Sequence, residues 1–369
     1  MLLLGPRQTG KSTLMASLTP HLSINLAHEA TYLDFARNPR ELEERLAATS
    51  RQRGVRSIFI DEIQRLPSLL NTIQVLLDAP DGRLRFLLTG SSARKLRRGQ
   101  ANLLPGRIHT YELRPLTSGE LEHRLDVRDA LATGTLPGSL ADPDVASRQK
   151  TLRAYAATYL REEVQAESLT RNLEGFARFL GIAAEWSGHH LDLSKLAAAA
   201  QVPRQSTVRF FEILEDTLIV RRAEPFARSP TRRLVQHPKF FFFDVGVRNG
   251  LLGNFTTSAD RIGSLFEHLV FSQLAASAAA HDRDVRLSSY RTEHGGEVDV
   301  VVELDRRTWA IELKASRTVG ATDLRGLASF RQFYARPHES RVWYLGDVTR
   351  VVDGVTVQPW QDGLREMGF

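Results

Sequence analysis

The segment LLLGPRQTGKS, residues 2–12, places two glycines and a lysine at a fixed spacing directly after an apolar run. It fits the pattern G-x-x-x-x-G-K-[ST], in which backbone N–H groups of the loop and of the following helix surround phosphate groups. The pattern predicts a buried strand, a tight loop and a helix over STLMASLTPHL. We expect Lys11 to reach the β- and γ-phosphates and Ser12 to ligate Mg²⁺. The expected nucleotide contacts are Gly5, Pro6, Arg7, Gln8, Thr9, Gly10, Lys11, Ser12 and Thr13.

A second apolar run, RSIFID, ends in the adjacent acids Asp61 and Glu62. At a strand end beside the loop, Asp61 can hold Mg²⁺ through water, and Glu62 can polarise the water that attacks the nucleotide. The alternative for this pair is a solvated strand end. A third run, RLRFLLTGSS, ends in small polar residues, among them Ser91, that suit contact with the γ-phosphate. Together with a strand predicted at TYLDF, residues 31–35, these elements favour a parallel α/β sheet covered by helices on both faces.

Two arginines in NLLPGRIHTYELRPL are candidates for stabilising charge in the transition state of phosphoryl transfer. They are Arg107 and Arg114, and both also suit a structural or surface role. We keep Arg107 as the catalytic candidate, acting in its own site or in that of a neighbouring subunit.

The composition is that of folded globular domains, with 42% hydrophobic and 25% charged residues. The absence of cysteine excludes disulfides, thiolate zinc sites and a cysteine nucleophile. No apolar run reaches the roughly 18 residues of a membrane span, and the start does not fit a signal peptide, so we expect a cytoplasmic protein without a membrane partner. The net charge of +6 is compatible with nucleic acid as a partner and also with a compositional bias toward arginine.

The middle of the chain is Ala-rich and predicted helical from about residue 120 to 185. It is followed by two predicted helices, capped by Ser194 and Ser206, and by two strands, IVRRAEPF and KFFFFDVG. This order predicts a helix-turn-helix with a wing. Its basic residues suit phosphate contacts on DNA, although such a module can instead pack between domains and relay the nucleotide state. The arginines concerned are Arg204, Arg209, Arg228, Arg232 and Arg233.

Near the C-terminus, a helix containing Glu267 precedes two apolar strands, EVDVVVEL and TWAIELK. If Val298, Val300 and Val302 share a sheet face with Trp309, Ile311 and Leu313, opposed positions must sum to an odd number, as with Val300 and Ile311. That register places Asp299 opposite Glu312, and the neighbouring odd register places it opposite Lys314. We therefore expect these three polar side chains to converge on the face away from the valines.

Two carboxylates and an ammonium group on one patch suit metal-dependent phosphodiester chemistry. Asp299 and Glu312 are hard oxygen ligands for Mg²⁺ or Mn²⁺, and Glu267 could join them. Lys314 could orient or deprotonate a water molecule, which an arginine could not do. The chain has only six lysines, and Lys11 and Lys314 are the two placed where an ammonium group at a phosphate is required. The alternatives are a hairpin ion pair for Glu312 and Lys314, and a solvated helix face for Glu267.

Several segments together resemble the AAA-type ATPases that carry a C-terminal DUF4143 region, and more distantly the archaeal ATPase family of STAND-like P-loop proteins. They are LLLGPRQTGKSTL, IFIDEIQRLPSLL, FLLTGSS, LPGRIHTYELRPLTSGE and GTLPGSL. The resemblance implies ATP as the nucleotide and a winged helix at the place predicted above. Such proteins have a segment before the first strand, so a late start or a truncated N-terminus is expected here. The helical Glu267, then Asp299, then Glu312-x-Lys314 resembles the PD-(D/E)XK nuclease-like fold, with Val298 at the position of the proline.

These patterns predict three domains: a P-loop ATPase domain over 1–118, a helical and winged-helix domain over 119–258, and a restriction-endonuclease-like α/β domain over 259–369. The first functional hypothesis is an ATPase coupled to a metal-dependent DNA nuclease. The second is a STAND-like switch whose C-terminal domains bind DNA or a partner without cleavage. The third is a DNA-binding regulator that acts through the winged helix. A homo-oligomer or a protein partner is compatible with all three.

Overall fold

The computed structural model describes residues 1–48, 56–78, 84–91, 108–159, 172–226, 237–293 and 295–369. Its contacts divide the chain into two compact units. The first comprises Met1–Arg114 with Asp216–Leu218, and the second comprises Pro115–Glu215 with Ile219–Phe369.

The first unit is built on a five-stranded sheet in which each described pairing is parallel. Its order is β2-β3-β4-β1-β5, which places the strand before the glycine loop between β4 and β5. Short apolar strands of this kind are buried on both faces by the helices between them. The strands are β1 (Leu2–Leu4), β2 (Leu22–Asn25), β3 (Arg56–Asp61), β4 (Leu84–Gly90) and β5 (Thr110–Glu112). The helices are α1 (Lys11–Ser17), α2 (Glu29–Arg37), α3 (Glu41–Ala48) and α4 (Leu69–Asp78).

The strand predicted at residues 31–35 is wrong, because this stretch lies inside helix α2. Phe35 is its only buried residue, and a helix that rests on the sheet needs only such a narrow apolar stripe. Glu29 in the first turn and Arg37 in the last turn also complement the helix dipole. The strand beside β3 is instead β2, which pairs with it from Leu22 opposite Ile58 onward.

The second unit begins with helices that share one apolar core. They are α5 (Val127–Thr133), α6 (Pro137–Ala141), α7 (Val145–Ala154), α8 (Leu173–Glu185), α9 (Leu193–Ala200), α10 (Arg204–Asp216) and α11 (Val245–Leu252), and a π-helical turn covers Tyr155–Tyr159. Phe176, Phe179 and Phe210 form a ring cluster with centroids 5.1–5.9 Å apart. This cluster ties α8 to α10.

The two predicted helix caps are wrong. Helix α9 is capped by Asp192, whose carboxylate accepts hydrogen bonds from the backbone N–H groups of Ser194 at 3.0 Å and Lys195 at 3.1 Å. An aspartate is as good an N-cap as a serine, and here it lies one residue before the helix. Helix α10 starts at Arg204, directly after Pro203, so Ser206 lies within its first turn.

An eight-stranded sheet, in the order β12-β13-β11-β10-β9-β8-β6-β7, forms the rest of the second unit. Its strands are β6 (Val220–Pro225), β7 (Lys239–Phe242), β8 (Val285–Arg291), β9 (Glu297–Leu304), β10 (Arg307–Lys314), β11 (Glu339–Tyr344), β12 (Arg350–Val352) and β13 (Val355–Pro359). The associated helices are α12 (Ile262–Ala280), α13 (Arg325–Phe333) and α14 (Trp360–Glu366). The two strands predicted for the wing are β6 and β7, and β6 also pairs with β8. The predicted wing therefore extends the C-terminal sheet.

The predicted register of β9 and β10 is confirmed, with Val300 opposite Ile311 and Val302 opposite Trp309. The predicted common face is wrong for Val298, which packs with Val301 in the core under α13, whereas Val300 and Val302 pack in the core that contains α12. The cause is a β-bulge. Between the pairs Ser288–Val301 and Tyr290–Val298, β8 advances two residues while β9 advances three. A bulge reverses the alternation of side chains at that point of the strand.

None of the helices in the described ranges is long and apolar enough to cross a membrane.

Candidate functional site

The glycine loop between β1 and α1 packs closely against the backbone of Leu113. At Gly5, φ is +157°, and a Cβ atom added there would lie 2.2 Å from the carbonyl oxygen of Leu113. Gly10 ends the loop with φ +93° directly before α1. Only glycine fits both demands, which explains the two fixed glycines of the motif.

Lys11 lies over this loop and is almost completely buried, with 5% of the residue exposed. Its ammonium group donates hydrogen bonds to the carbonyl oxygens of Gly5 at 2.8 Å and Pro6 at 2.7 Å. Thr9 also stabilises the loop, because its hydroxyl donates to Pro6 O at 2.9 Å. Arg7, Gln8, Ser12 and Thr13 are exposed, so the loop presents polar groups to solvent around a buried positive charge.

The strand ends beside the loop bring the predicted polar residues together. Ser12 Oγ donates to Asp61 Oδ2 at 2.8 Å, and Thr89 Oγ1 donates to the other oxygen of Asp61. Glu62 follows with φ +59°, and its backbone N–H donates to Thr89 Oγ1 at 3.3 Å. Asp61 is therefore held in place by one hydroxyl from α1 and one from β4.

Gln64 connects two further predicted residues and was not recognised in the sequence. Its side-chain amide donates to Glu62 Oε2 and, at 3.0 Å, to Ser91 Oγ. Gln64 Oε1 is buried without a hydrogen-bond partner among the described residues, so the amide can still accept one hydrogen bond. The signal available in the sequence was the position of Gln64 two residues after Glu62 in a 3₁₀ turn, Ile63–Arg65.

Of the two candidate arginines, Arg107 lies outside the described residues. Arg114 has a side chain that is only 7% exposed, and its guanidinium group lies 2.5 Å from Glu112 Oε1. This short, buried ion pair fits the structural role that the sequence left open for Arg114.

A second charged cluster lies in the second unit, where β7, β9, β10 and α12 contribute side chains. Lys239 Nζ lies 2.7 Å from Glu267 Oε1 and 3.0 Å from Glu297 Oε1. The residue is 4% exposed, and although burial acts to lower the pKa of Lys239, the charges of Glu267, Asp299 and Glu297 outweigh it and raise the pKa. Burial raises the pKa of Glu267 to about 7, even though Lys239 acts to lower it.

The predicted residues Asp299, Glu312 and Lys314 belong to the same cluster. Asp299 lies at the bulge of β9, and its Oδ2 accepts a hydrogen bond from the backbone N–H of Leu313 at 2.8 Å. Lys314 Nζ lies 2.9 Å from Glu312 Oε1 and 3.7 Å from Asp323 Oδ1. Burial and the charge of Asp299 raise the pKa of Glu312 to about 8, and burial raises the pKa of Asp299.

The metal site predicted at Asp299 and Glu312, with Glu267, remains a prediction. No group of three or more His, Asp or Glu side chains in the described ranges is arranged to hold a metal ion. The oxygens of Glu267 and Glu297 face the Lys239 ammonium group, and Glu312 Oε1 faces Lys314. Glu312 Oε2 is the one buried oxygen of these carboxylates that lacks a hydrogen-bond partner among the described residues.

The sequence did not point to Lys239 or to the role of Glu297. The available signals were weak: a lysine that opens the run KFFFF in a chain with only six lysines, and a glutamate two residues before Asp299. The predicted phosphate-contacting residues Arg204 and Arg209 are exposed on α10, as expected. Arg228, Arg232 and Arg233 lie outside the described residues.

Comparison with known families gives three matches along the chain. The AAA domain matches residues 1–122, a domain of unknown function, DUF8612, matches residues 124–258, and another, DUF4143, matches residues 262–362.

The chain is also similar to two curated proteins. The uncharacterized proteins Mb2031c of Mycobacterium bovis and Rv2008c of Mycobacterium tuberculosis are each 30% identical to it over 325 residues, which is 86% of this chain and 70% of theirs. Among solved structures, protein VC1899 from Vibrio cholerae aligns over 99% of this chain and 95% of its own, at 10% identity and a TM-score of 0.22. That score is too low to support an argument about the fold. The matched domains and the two relatives show that the chain belongs to the family of AAA ATPases that carry a C-terminal DUF4143 region.

Proposed function

We propose that the first unit binds ATP with Mg²⁺ at the glycine loop and hydrolyses it. The observation that carries the proposal is the hydrogen bond between Ser12 Oγ and Asp61 Oδ2, 2.8 Å long, beside the buried ammonium group of Lys11. A hydroxyl and a carboxylate that meet at the end of a phosphate-binding loop are the oxygen ligands that Mg²⁺ takes in P-loop proteins.

Each side chain has a distinct role in this proposal. Lys11 leaves the carbonyls of Gly5 and Pro6 and binds the β- and γ-phosphates. Ser12 and Asp61 hold Mg²⁺, which neutralises phosphate charge when it is bound. Glu62 accepts a hydrogen bond from the attacking water and orients it, and Gln64 fixes the Glu62 carboxylate relative to Ser91. Arg107 remains a proposed source of positive charge for the transition state.

The variant Glu62→Gln tests this assignment. It should retain ATP binding, because the amide keeps the size of the side chain, and it should hydrolyse ATP about 100-fold or more slowly, because the amide is a poor proton acceptor. Steady-state phosphate release and titration with a fluorescent ATP analogue measure the two properties. Glu43→Gln, on the exposed face of α3, is the matched control. Hydrolysis by Glu62→Gln at the parental rate would falsify the assignment.

For the second unit, we propose the STAND-like switch, in which the nucleotide state controls binding of DNA or of a protein without cleavage. Lys239 supports this choice, because its ammonium group already pairs with Glu267, one of the carboxylates that a metal-dependent nuclease would use. ATP-dependent changes in protease sensitivity, together with no cleavage of DNA in Mg²⁺ or Mn²⁺, are the expected results. We also propose that the domains of the chain end at residues 118 and 258.

Metal-dependent cleavage of DNA is the second candidate. It is favoured by the placement of Asp299, Glu312 and Lys314 on the adjacent strands β9 and β10, beside Glu267 of α12. A nuclease assay with metal ions and ATP varied independently decides between the two candidates. Cleavage that is lost in Asp299→Ala and in Lys314→Ala would establish the nuclease and reject the non-cleaving switch. DNA binding through α10 is tested separately by band shifts with Arg204→Ala and Arg209→Ala.

A further inference from the structure

One lysine lies inside the carboxylate cluster of the second unit, and nothing in the ATPase proposal uses it. Lys239 is 4% exposed, whereas the side chain of Lys314 at the border of the cluster is 28% exposed. The ammonium group of Lys239 contacts Glu267 of α12 and Glu297 of β9 and so connects this helix to this strand. We propose that Lys239 is the resident cation of this cluster and that its ammonium group excludes a divalent metal ion from it.

Basic side chains already offset most of the negative charge of the cluster. Its four carboxylates, Glu267, Glu297, Asp299 and Glu312, face the two ammonium groups of Lys239 and Lys314, and Arg291 lies 3.6 Å from Glu297. Asp323, which lies 3.7 Å from Lys314, is a fifth carboxylate, so three basic groups offset three of five formal negative charges.

The backbone fixes the Lys239 ammonium group in this position. Lys239 is the first residue of β7 and pairs with Ala223 of β6, whose strand is joined to β8 of the main sheet. His190 forms a bridge to Lys239 from the other side. Because the strand cannot move without breaking these pairings, the side chain remains between the two glutamates. A metal ion would have to take the same oxygens at about 2.0–2.6 Å, where the ammonium hydrogens now lie.

Substitution of Lys239 by methionine should therefore create a divalent-cation site. Methionine keeps the length and the apolar stem of lysine but removes the positive charge, which leaves Glu267, Glu297 and Asp299 without their shared cation. The probe is Mn²⁺ alone, added to the full chain without nucleotide and followed by electron paramagnetic resonance. We expect Lys239→Met to bind Mn²⁺ roughly tenfold or more tightly than the parent, and thermal denaturation to show a Mn²⁺-dependent rise in Tm that the parent lacks.

Two further variants make the result specific to the cluster. Lys195→Met removes an exposed lysine from α9 and should bind Mn²⁺ as the parent does. In the double variant Lys239→Met/Glu267→Gln, the Mn²⁺ site expected in Lys239→Met should be lost, because a neutral amide replaces one of its carboxylates. The glycine loop is intact in all of these proteins, so any Mn²⁺ that it holds contributes equally to each.

The parent protein gives an independent test if Lys239→Met does not fold. The resident-cation proposal expects the parent and Asp299→Asn to bind the same amount of Mn²⁺ without nucleotide. Binding by the parent that disappears in Asp299→Asn would overturn the proposal, as would a folded Lys239→Met protein whose Mn²⁺ affinity equals that of the parent. Neither outcome changes the ATPase proposal, which Glu62→Gln tests in the other unit.

Discussion

The glycine loop and the carboxylate cluster each enclose a buried lysine, but they bind it through different partners. Lys11 donates to two neutral carbonyl oxygens, whereas Lys239 donates to two carboxylates. An ammonium group is attracted less strongly by a carbonyl dipole than by the full charge of a carboxylate. We therefore expect phosphate oxygens to draw Lys11 away from its carbonyls. Lys239 is already paired with two carboxylates, and we expect it to stay in place. The first lysine is available for a ligand, and the second stabilises the fold.

The residues around Lys11 are also more exposed than those around Lys239. Around Lys11, residues Arg7, Gln8, Ser12 and Thr13 of the loop and first helical turn are exposed. Around Lys239, the side chains of Glu267 and Glu297 are 16% and 32% exposed. The loop is thus open to a nucleotide, whereas the cluster is largely closed by its own charged groups. Replacing the lysines by methionine separates the two roles.

The largest expected effect is on stability, in Lys239→Met. Removing one partner of a buried ion pair leaves the other charges buried and uncompensated, so the free energy of unfolding should fall by about 3–5 kcal/mol. Urea denaturation in a metal-free buffer measures the change, and the exposed Lys195→Met is the control. A loss below about 1 kcal/mol would mean that water solvates Glu267 and Glu297. It would contradict the proposed difference between the carboxylate cluster and the glycine loop.

The effect of Lys11→Met should fall on ligand binding instead. An ionic hydrogen bond to phosphate contributes about 1.5–3 kcal/mol, so ATP affinity should fall about 10- to 100-fold. The free energy of unfolding should fall less than in Lys239→Met, because the Lys11 ammonium group donates to carbonyl dipoles of Gly5 and Pro6, whereas that of Lys239 pairs with full negative charges. Nucleotide titration and urea denaturation of the same protein provide both numbers. If Lys11→Met is destabilised as strongly as Lys239→Met, the two lysines do not differ as we argue.

The two regions also differ in how far the sequence could predict them. In the first unit, the functional residues follow their strands and the loop at short, recognisable distances, so Ser12 and Asp61 could be expected to meet. The strand at residues 31–35 was predicted wrongly because TYLDF has strand-forming residues, whereas the buried surface in the structure is the narrow stripe of a helix. Composition over five residues does not separate these alternatives.

In the second unit, alternation of apolar residues was enough to predict that Val300 lies opposite Ile311. It could not reveal the bulge at Asp299, because a bulge depends on the pairing of β9 with β8. Nor could it reveal Lys239, which reaches Glu267 only because β7 pairs with β6 at the edge of the sheet. Local patterns predict residues that face each other on adjacent strands, and they miss partners that tertiary pairing supplies.

The smallest expected effect is that of Lys314→Met, which tests whether burial or the acidic partners make Lys239 structural. Lys314 contacts Glu312 and Asp323, so its partners are acidic too, but its side chain is 28% exposed. Water already solvates part of the Lys314 ammonium group and screens its ion pairs, so we expect the free energy of unfolding to fall by about 1 kcal/mol. Burial acts to lower the pKa of Lys314, but Glu312, Asp299 and Asp323 outweigh it and raise the pKa above 10.5. Lys314 therefore stays protonated at pH 7 and at pH 9, but Glu312, whose pKa is raised to about 8, loses in the variant the neighbour that lowers it, so the variant should lose more stability relative to the parent at pH 9 than at pH 7. Urea denaturation at both pH values provides the measurement. A loss equal to that of Lys239→Met would show that acidic partners alone are sufficient and that burial adds nothing.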